Sequence, residues 1–200
     1  MPKRRLLLAT NNAGKVREIR ELLDGCGWEI VTPKDLGLSL DVIEDGVTYE
    51  ENARKKAEAF AAASGLAALA DDSGIEVDAL DGRPGLYSAR YGGPELTERE
   101  QCELILKELT GVPDDRRTAR FRALVVVAGI GGAPAFEGII EGCIAHEIRG
   151  EGGFGYDPIF RPLGFNVTTA EMPREEKNKI SHRALAVMKA RAVLERASSQ

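Results

Sequence analysis

The sequence predicts an α/β fold in which helices flank a mixed β-sheet, and two patterns support this prediction. The first half of the chain alternates strand-like and helix-like hydrophobic spacing, whereas the second half carries two long apolar strands joined by a Gly-Gly turn. Because this order is neither strictly βαβ nor wholly antiparallel, it favours a mixed sheet with packed helices. The chain has 200 residues, 43% of them hydrophobic, and no linker or repeat, so we expect one domain over residues 1–200.

A β-loop-α unit opens the chain. Residues 6–9 form an apolar run typical of a short buried strand, and a polar loop follows at residues 10–15. Apolar side chains then recur at helical spacing from Val16 until Gly25, which is predicted to end the first helix.

Two later helices are predicted to begin with capping boxes. The Thr48 hydroxyl and the Glu51 carboxylate can satisfy each other's backbone donors before a helix predicted over residues 49–64. Residues 97–100 repeat the pattern before a third helix, and the last helix is predicted over residues 174–197.

The remaining strands are predicted from continuous or alternating apolar runs. Residues 71–74, with the sequence Asp-Asp-Ser-Gly, are expected to form a turn between two of these strands. The predicted strands lie at residues 66–70, 75–79, 119–130 and 136–148.

Charge and hydropathy exclude several classes of protein. The chain carries 32 acidic and 27 basic side chains, a net charge of -5, whereas binding to DNA or to anionic membranes depends on clustered positive charge. The most apolar stretch, residues 123–136, is interrupted by glycines and is shorter than the ~20 residues of a membrane helix. We therefore expect neither a nucleic-acid nor a membrane partner.

The numbers and spacing of cysteines and histidines indicate the cellular compartment and the kind of metal site. Three widely spaced cysteines without a C-x-x-C pair favour a reducing compartment. Residues 1–15 begin with a basic head, but the apolar run behind it is too short for a secretory signal, so we expect a cytoplasmic protein. The chain has only two histidines, which favours oxygen-ligated Mg²⁺ over a histidine-rich metal site.

The loop at residues 10–15 is the first candidate binding site. It lies between a strand and a helix N-terminus, where backbone N–H groups and the helix dipole attract anions, and Lys15 adds a full positive charge. The P-loop pattern is absent, and an ordinary βα turn is the alternative interpretation.

Acidic residues at a strand end form the second candidate. Asp71 and Asp72 follow an apolar run, and Glu44 and Asp45 lie upstream in an acidic stretch. Adjacent carboxylates repel each other unless a cation or a proton lies among them, which favours Mg²⁺. The alternative is that Asp71 and Asp72 only shape a turn.

The glycine-rich loop around Phe154 and Tyr156 is the third candidate. An aromatic side chain between glycines can offer a flat face to a ligand ring, and Asp157 could read the polar edges of that ring. The alternative is a loop whose aromatic side chains belong to the core.

Cations near the start of the last predicted helix form the fourth candidate. The helix dipole disfavours positive charge there, so Lys177, His182 and Arg183 suggest an anionic or carbonyl-bearing ligand. A solvated basic face, partly offset by Glu175 and Glu176, is the alternative.

Five motifs join these candidates into one pattern: ATNNAGK at 9–15, TYEENARKKA at 48–57, ADDSGIEVDALDGRPGLYSARYGG at 70–93, GGFGYDPIF at 152–160 and AEMPREEKNKISHRALA at 170–186. In this order they resemble the inosine triphosphate pyrophosphatase family, and the resemblance covers nearly the whole chain. It implies Mg-dependent hydrolysis of ITP, dITP and XTP to the nucleoside monophosphate and pyrophosphate. It also implies an elongated mixed sheet, two lobes with a central cleft, and a homodimer.

The resemblance assigns roles to individual residues. Asp72 is expected to accept the proton of the attacking water, and Glu44 and Asp72 are expected to ligate Mg²⁺, with Asp45 as the alternative to Glu44. The residues expected to bind substrate are Thr10, Asn11, Asn12, Ala13, Gly14, Lys15, Lys56, Ser73, Phe154, Gly155, Tyr156, Asp157, Lys177, His182 and Arg183.

Elementary chemistry agrees with these roles. Phosphoanhydride hydrolysis needs neutralised phosphates and a positioned water, which Lys15, Lys56 and Asp72 could supply. Inosine and xanthosine carry a 6-oxo acceptor where adenine carries an amino donor, so donors from His182 or Arg183 would favour the former.

Two other functions are also compatible with the sequence. A pyrophosphatase of the related Maf-like type would act on modified pyrimidine nucleotides or on standard triphosphates. A nucleotide- or RNA-binding module would use the basic cluster and Phe154 without turnover, although the carboxylates would repel a phosphate backbone unless a metal intervened.

Overall fold

The computed structural model describes residues 4–198, so of the basic head only residues 1–3 lie outside the described part, whereas Arg4 and Arg5 belong to the first strand. Within that part the strands form a six-stranded sheet in the order β2-β1-β3-β4-β5-β6. β1 pairs in parallel with β2 and β3, whereas β5 and β6 pair antiparallel, which confirms the predicted mixed sheet. The strands are β1 Arg4–Leu8, β2 Trp28–Val31, β3 Ala67–Val77, β4 Thr118–Ala128, β5 Ala135–Ile144 and β6 Phe160–Pro162.

Five α-helices accompany these strands in residues 4–198, and short 3₁₀ turns lie between them. The helices predicted after Thr48 and Thr97 begin where these capping residues place them. The helices are α1 Ala13–Leu22, α2 Tyr49–Ser64, α3 Glu98–Glu108, α4 Arg174–Ile180 and α5 His182–Ser198.

The two predicted capping boxes differ in detail. At α3, Thr97 and Glu100 satisfy each other's backbone donors as predicted. At α2, the Thr48 hydroxyl accepts from the Glu51 N–H, but the Glu51 carboxylate accepts from the Val47 N–H at 2.8 Å. The reciprocal bond predicted at α2 is therefore wrong by one residue.

The turn predicted at residues 71–74 is wrong, because β3 runs without a break from Ala67 to Val77. Asp71 and Asp72 are both buried within this strand. Buried carboxylates need cationic or hydrogen-bonding partners, and these come from distant parts of the chain. Local composition therefore favoured a turn that the tertiary structure overrides.

The single last helix predicted over residues 174–197 is also wrong. Ser181 has an extended backbone, with a ψ of 150°, and separates α4 from α5. This break places His182 at the first position of a new helix.

Contacts divide the chain into two compact units. Unit 1 comprises the described parts of Met1–Asp72, Ala123–Gly138 and Arg183–Gln200, and unit 2 comprises Ser73–Arg122 and Ile139–His182. The prediction of one domain over residues 1–200 stays a prediction. No helix within residues 4–198 has the length and apolarity needed to cross a bilayer.

Each unit has its own hydrophobic core. In unit 1 the alternation of β1 directs Leu6 and Leu8 into one cluster and Leu7 into another, since successive side chains of a strand point to opposite faces. In unit 2 the core forms around Ile105 of α3 and Phe160.

Candidate functional site

The strand order of unit 1 determines where the first group of site residues lies. The chain leaves β1 through α1 to β2, and then returns through α2 to β3 on the other side of β1. Such a reversal opens a crevice at the carboxyl ends of the parallel strands. Leu8 pairs with Leu69, and the Ala9 N–H donates to the Leu69 carbonyl, so the polar loop begins beside Asp71.

The polar loop at residues 10–15 continues directly into α1. The Asn12 side chain accepts from the Lys15 N–H at 3.0 Å, and the Thr10 hydroxyl accepts from the Asn12 N–H at 3.2 Å. These bonds cap the helix N-terminus. Lys15 is therefore the third helical residue, after Ala13 and Gly14, and its side chain extends towards β3.

The Asp71 carboxylate lies at the centre of a buried ion cluster. Its Oδ2 is 2.8 Å from Lys15 Nζ and 3.2 Å from Arg183 Nη2. The Arg183 guanidinium also bonds Glu18 Oε2 at 2.6 Å, so α1, β3 and α5 meet here. The Asp71 side chain is fully buried and that of Arg183 is 2% exposed, which keeps these charges close in a low-dielectric setting.

Lys56 of α2 joins the two carboxylates that are expected to ligate a metal. Its Nζ lies 2.8 Å from Glu44 Oε2 and 3.4 Å from Asp72 Oδ1. The neighbouring Asp45 instead bonds Lys55 at the exposed surface. This geometry favours Glu44 over Asp45 as the upstream partner of Asp72.

Burial and charge shift the pKa values of this cluster in different directions. Burial lowers the pKa of Lys15, although Asp71 opposes this shift. Burial alone would also lower the pKa of Lys56, but the carboxylates of Asp72 and Glu44 outweigh it and raise that pKa. Desolvation raises the pKa of Asp72 despite the two nearby lysines. A carboxyl with a raised pKa is a better proton acceptor than an ordinary aspartate.

One atom of this cluster fits a divalent cation. Asp72 Oδ2 is buried, and within residues 4–198 no hydrogen-bond donor reaches it. The same part of the chain contains no group of three or more metal-ligating His, Cys, Asp or Glu side chains. Mg²⁺ needs no such group, because one or two carboxylates together with water and substrate phosphates complete its octahedron. Glu44 and Asp72 match that requirement.

The glycine-rich loop of unit 2 is organised around Asp157. The Phe154 N–H donates to Asp157 Oδ2 at 2.9 Å, and Lys177 Nζ bonds the same oxygen. Lys177 also lies over the Phe154 ring, 5.3 Å from its centre. Gly153 permits this arrangement, because a Cβ there would come within 2.0 Å of the carboxylate.

Asp157 and Tyr156 are buried and bond other parts of the protein, and their binding of substrate stays a prediction. Asp157 is 3% exposed and its oxygens bond the protein itself, and the Tyr156 hydroxyl donates to the Ser88 carbonyl at 2.7 Å. Phe154 and Gly155 remain half-buried, and the Gly155 N–H donates to Glu98 of α3 at 2.8 Å.

His182 and Ser73 complete the predicted set in unit 2. The His182 ring stacks on Phe121 at a centre distance of 4.6 Å and an interplanar angle of 9°. Ser73 follows Asp72 in β3 and is half-buried. Base recognition by His182 and Arg183 stays a prediction, and in this structure the Arg183 guanidinium contacts Asp71 and Glu18.

Two residues of these clusters were missed by sequence reasoning. Glu18 carried a signal, because it precedes Leu22 by four residues and therefore lies on the buried stripe of α1. Thr169, whose hydroxyl donates to Asp157 Oδ1 at 2.8 Å, carried none.

Comparison with known proteins decides the family. The sequence model of the Ham1 family matches residues 6–193. The chain belongs to the Ham1 family. This confirms the predicted resemblance to inosine triphosphate pyrophosphatases, which rested on five separated motifs.

Named relatives of this Ham1-family chain cover it almost completely. A dITP/XTP pyrophosphatase of Desulforamulus reducens is 49% identical and covers 96% of each chain. A dITP/XTP pyrophosphatase of Bacillus subtilis is 46% identical over 94% of this chain and 96% of its own.

Solved structures of this family agree with the fold. A HAM1 protein from Coxiella burnetii has a TM-score of 0.86 at 37% identity, covering 96% of this chain and 99% of its own. A nucleoside-triphosphatase / dITP/XTP pyrophosphatase from Mycobacterium abscessus has a TM-score of 0.73 at 39% identity, covering 95% of this chain and 98% of its own.

Proposed function

We propose that this protein hydrolyses non-standard purine nucleoside triphosphates, namely ITP, dITP and XTP, to the nucleoside monophosphate and pyrophosphate. The observation that carries the proposal is the cluster of Lys15, Lys56 and Asp72 beside the carboxyl end of β1 in unit 1. Two lysines can neutralise phosphates there, and a buried carboxylate can act on water. The names of relatives that match nearly the whole chain support dITP and XTP as substrates.

In this proposal each group of residues binds one part of the nucleotide. Loop residues Thr10, Asn11, Asn12, Ala13 and Gly14, together with Lys15 and Lys56, bind the triphosphate. The nucleoside is bound by Phe154, Gly155 and Tyr156, which Asp157 and Lys177 support. Ser73, His182 and Arg183 bind it as well. Stacking on Phe154 adds affinity for any purine, whereas donors to the 6-oxo group discriminate against adenine.

The proposed chemical step assigns proton transfer to Asp72, whose pKa is raised by desolvation. The Asp72 carboxylate accepts a proton from a water molecule while the water oxygen attacks the α-phosphorus. The bond from the α-phosphorus to the bridging oxygen breaks, and pyrophosphate leaves while Lys15 and Lys56 hold its charge. When bound, Mg²⁺ would be held by Glu44 and Asp72 and would supply charge neutralisation on the phosphates.

The test measures the product and the dependence on Asp72. Wild-type protein should release pyrophosphate and not orthophosphate from ITP, with Mg²⁺ present and not after chelation. Asp72→Asn should lose most turnover while ITP binding persists, whereas Asp24→Asn, which changes an exposed carboxylate of unit 1, should keep wild-type turnover. Unchanged kcat in Asp72→Asn would contradict the mechanism.

The same assay separates the rival functions. Faster hydrolysis of modified pyrimidine or standard triphosphates would indicate the Maf-like activity instead. Nucleotide binding without any Mg²⁺-dependent turnover would indicate a binding module.

The homodimer and the cytoplasmic location predicted from the sequence are further parts of this proposal. Light scattering coupled to size exclusion measures the former. Cell fractionation measures the latter.

A further inference from the structure

The position of Phe154 depends on one buried carboxylate. Asp157 Oδ2 accepts a hydrogen bond from the Phe154 N–H at 2.9 Å and also pairs with the Lys177 ammonium. Lys177 in turn lies 5.3 Å from the centre of the Phe154 ring. The orientation of this carboxylate therefore determines where both the backbone and the cationic neighbour of the ring are held.

The terminal torsion of an aspartate side chain is broad, so a carboxylate held by one oxygen alone can rotate. A hydrogen bond to the second oxygen prevents this rotation. The second oxygen, Oδ1, accepts from the Thr169 hydroxyl at 2.8 Å. The same hydroxyl lies 3.1 Å from the Asp157 carbonyl, so the carboxylate is the nearer acceptor. Thr169 is 3% exposed, which shields this bond from competition by water.

The backbone of the Thr169 segment is held without its hydroxyl. The Thr169 N–H donates to the Phe160 carbonyl at 2.9 Å, and the Ala170 N–H donates to the Asp157 carbonyl at 3.2 Å. Gly152 also packs on this segment, with its N–H 3.0 Å from the Ala170 carbonyl. Loss of the hydroxyl should therefore leave the segment in place and release only the carboxylate.

We propose that Thr169 is a positioning residue for nucleobase binding, because its hydroxyl fixes the Asp157 carboxylate and thereby holds Phe154 and Lys177. This inference rests on the proposed function, in which Phe154 stacks on the base. It predicts that Thr169 governs substrate affinity and leaves the phosphate chemistry, carried by residues of unit 1, unchanged.

The neighbouring Thr168 provides a matched control. It is 1% exposed, and its hydroxyl donates to the Arg149 carbonyl at 2.9 Å, outside the Asp157 cluster. Thr168→Val and Thr169→Val therefore delete the same group at the same depth. Thr169→Ser retains the hydroxyl and is the rescue variant.

The experiment measures KM and kcat for ITP on these three variants. Thr169→Val should raise KM about twofold to twelvefold, the range of a single hydrogen bond, with kcat within about twofold of wild type. Thr168→Val should lower the melting temperature without changing KM, and Thr169→Ser should restore wild-type KM. Equal KM values for the two valine variants, or equal losses in kcat, would overturn the proposal.

Amide hydrogen exchange distinguishes failure of this inference from failure of the proposed function. Thr169→Val should speed exchange in the segment containing Phe154, and Thr168→Val should not, whether or not ITP is a substrate. If wild-type protein does not hydrolyse ITP, the proposed function fails and exchange still tests the role of Thr169. If Thr169→Val does not fold, Thr169→Ala deletes the same hydroxyl and enters the same two assays.

Discussion

Replacement of Arg183 by methionine tests whether the buried ion cluster of unit 1 stabilises the fold. The Arg183 guanidinium bonds Glu18 at 2.6 Å and Asp71 at 3.2 Å, and its side chain is 2% exposed. Burial alone would lower the pKa of Arg183, but the two carboxylates raise it, so the arginine stays charged at every accessible pH. Arg183→Met keeps most of the apolar volume and removes the charge.

The magnitude follows from what remains after the substitution. Removal of one partner from a buried ion pair costs about 3–5 kcal/mol, because a buried charge loses its compensation. Asp71 keeps Lys15 at 2.8 Å, which favours the lower part of that range. For a chain of this size, each kcal/mol lowers the melting temperature by about 2–4 °C, so Arg183→Met should lower it by about 6–16 °C.

Urea unfolding followed by circular dichroism measures the change in the free energy of unfolding. Arg191→Met is the matched control, because Arg191 lies in the same helix and pairs with Glu195 at 2.7 Å, but its side chain is 25% exposed. Such a pair contributes about 0–1 kcal/mol. Equal losses in the two variants would refute the reasoning.

The double variant Glu18→Gln/Arg183→Met tests the pairing itself. Removal of both partners leaves less uncompensated charge than removal of the arginine alone, so the combined loss should be smaller than the sum of the single losses. The same proteins report on base recognition. If Arg183 also reads the base, the ratio of kcat/KM for ITP over ATP should fall in Arg183→Met, and an unchanged ratio would place base recognition elsewhere.

Three further predictions concern single side chains. Glu44→Gln should lower ITP turnover about tenfold or more and Asp45→Asn should not, as measured by pyrophosphate release; the reverse result would make Asp45 the metal ligand. Gly153→Ala should lower the free energy of unfolding in urea by roughly 1–3 kcal/mol, because Gly153 has a φ of +73° and a Cβ would collide with Asp157; wild-type stability would contradict this close approach. Burial raises the pKa of Cys102 to about 12, so iodoacetamide followed by peptide mass spectrometry should find this thiol unmodified in folded protein near neutral pH, and early alkylation would contradict its burial. Because this pKa is raised in the folded state, its stabilising contribution is complete below the unfolded value of 9.0 and is lost as the pH rises towards 12.

Local signals made a large part of the fold predictable. α2 begins after Thr48 and ends before Gly65, whose φ of +67° is the left-handed conformation that glycine adopts readily, and α3 has the capping box that its sequence indicates. In each case the residues that specify the boundary are within a few positions of it.

The predictions that were wrong concern residues whose partners are far away in the sequence. The residues around Asp71 have the composition of a turn, and the partners that bury it give no local signal because they are distant in the sequence. Lys15 is 56 residues away and Arg183 is 112 residues away. The identity of the candidate site residues was accessible from motifs, but their pairing was not. No local pattern indicates that Asp157 faces Thr169 and Lys177.

Lys56 affects the stability of the protein when no metal ion or substrate is bound. Its ammonium gives Glu44 and Asp72 a counter-charge that the chain itself carries. This single positive charge offsets part of the repulsion between the two carboxylates when no metal ion is bound. Chelators should consequently abolish turnover without lowering the melting temperature.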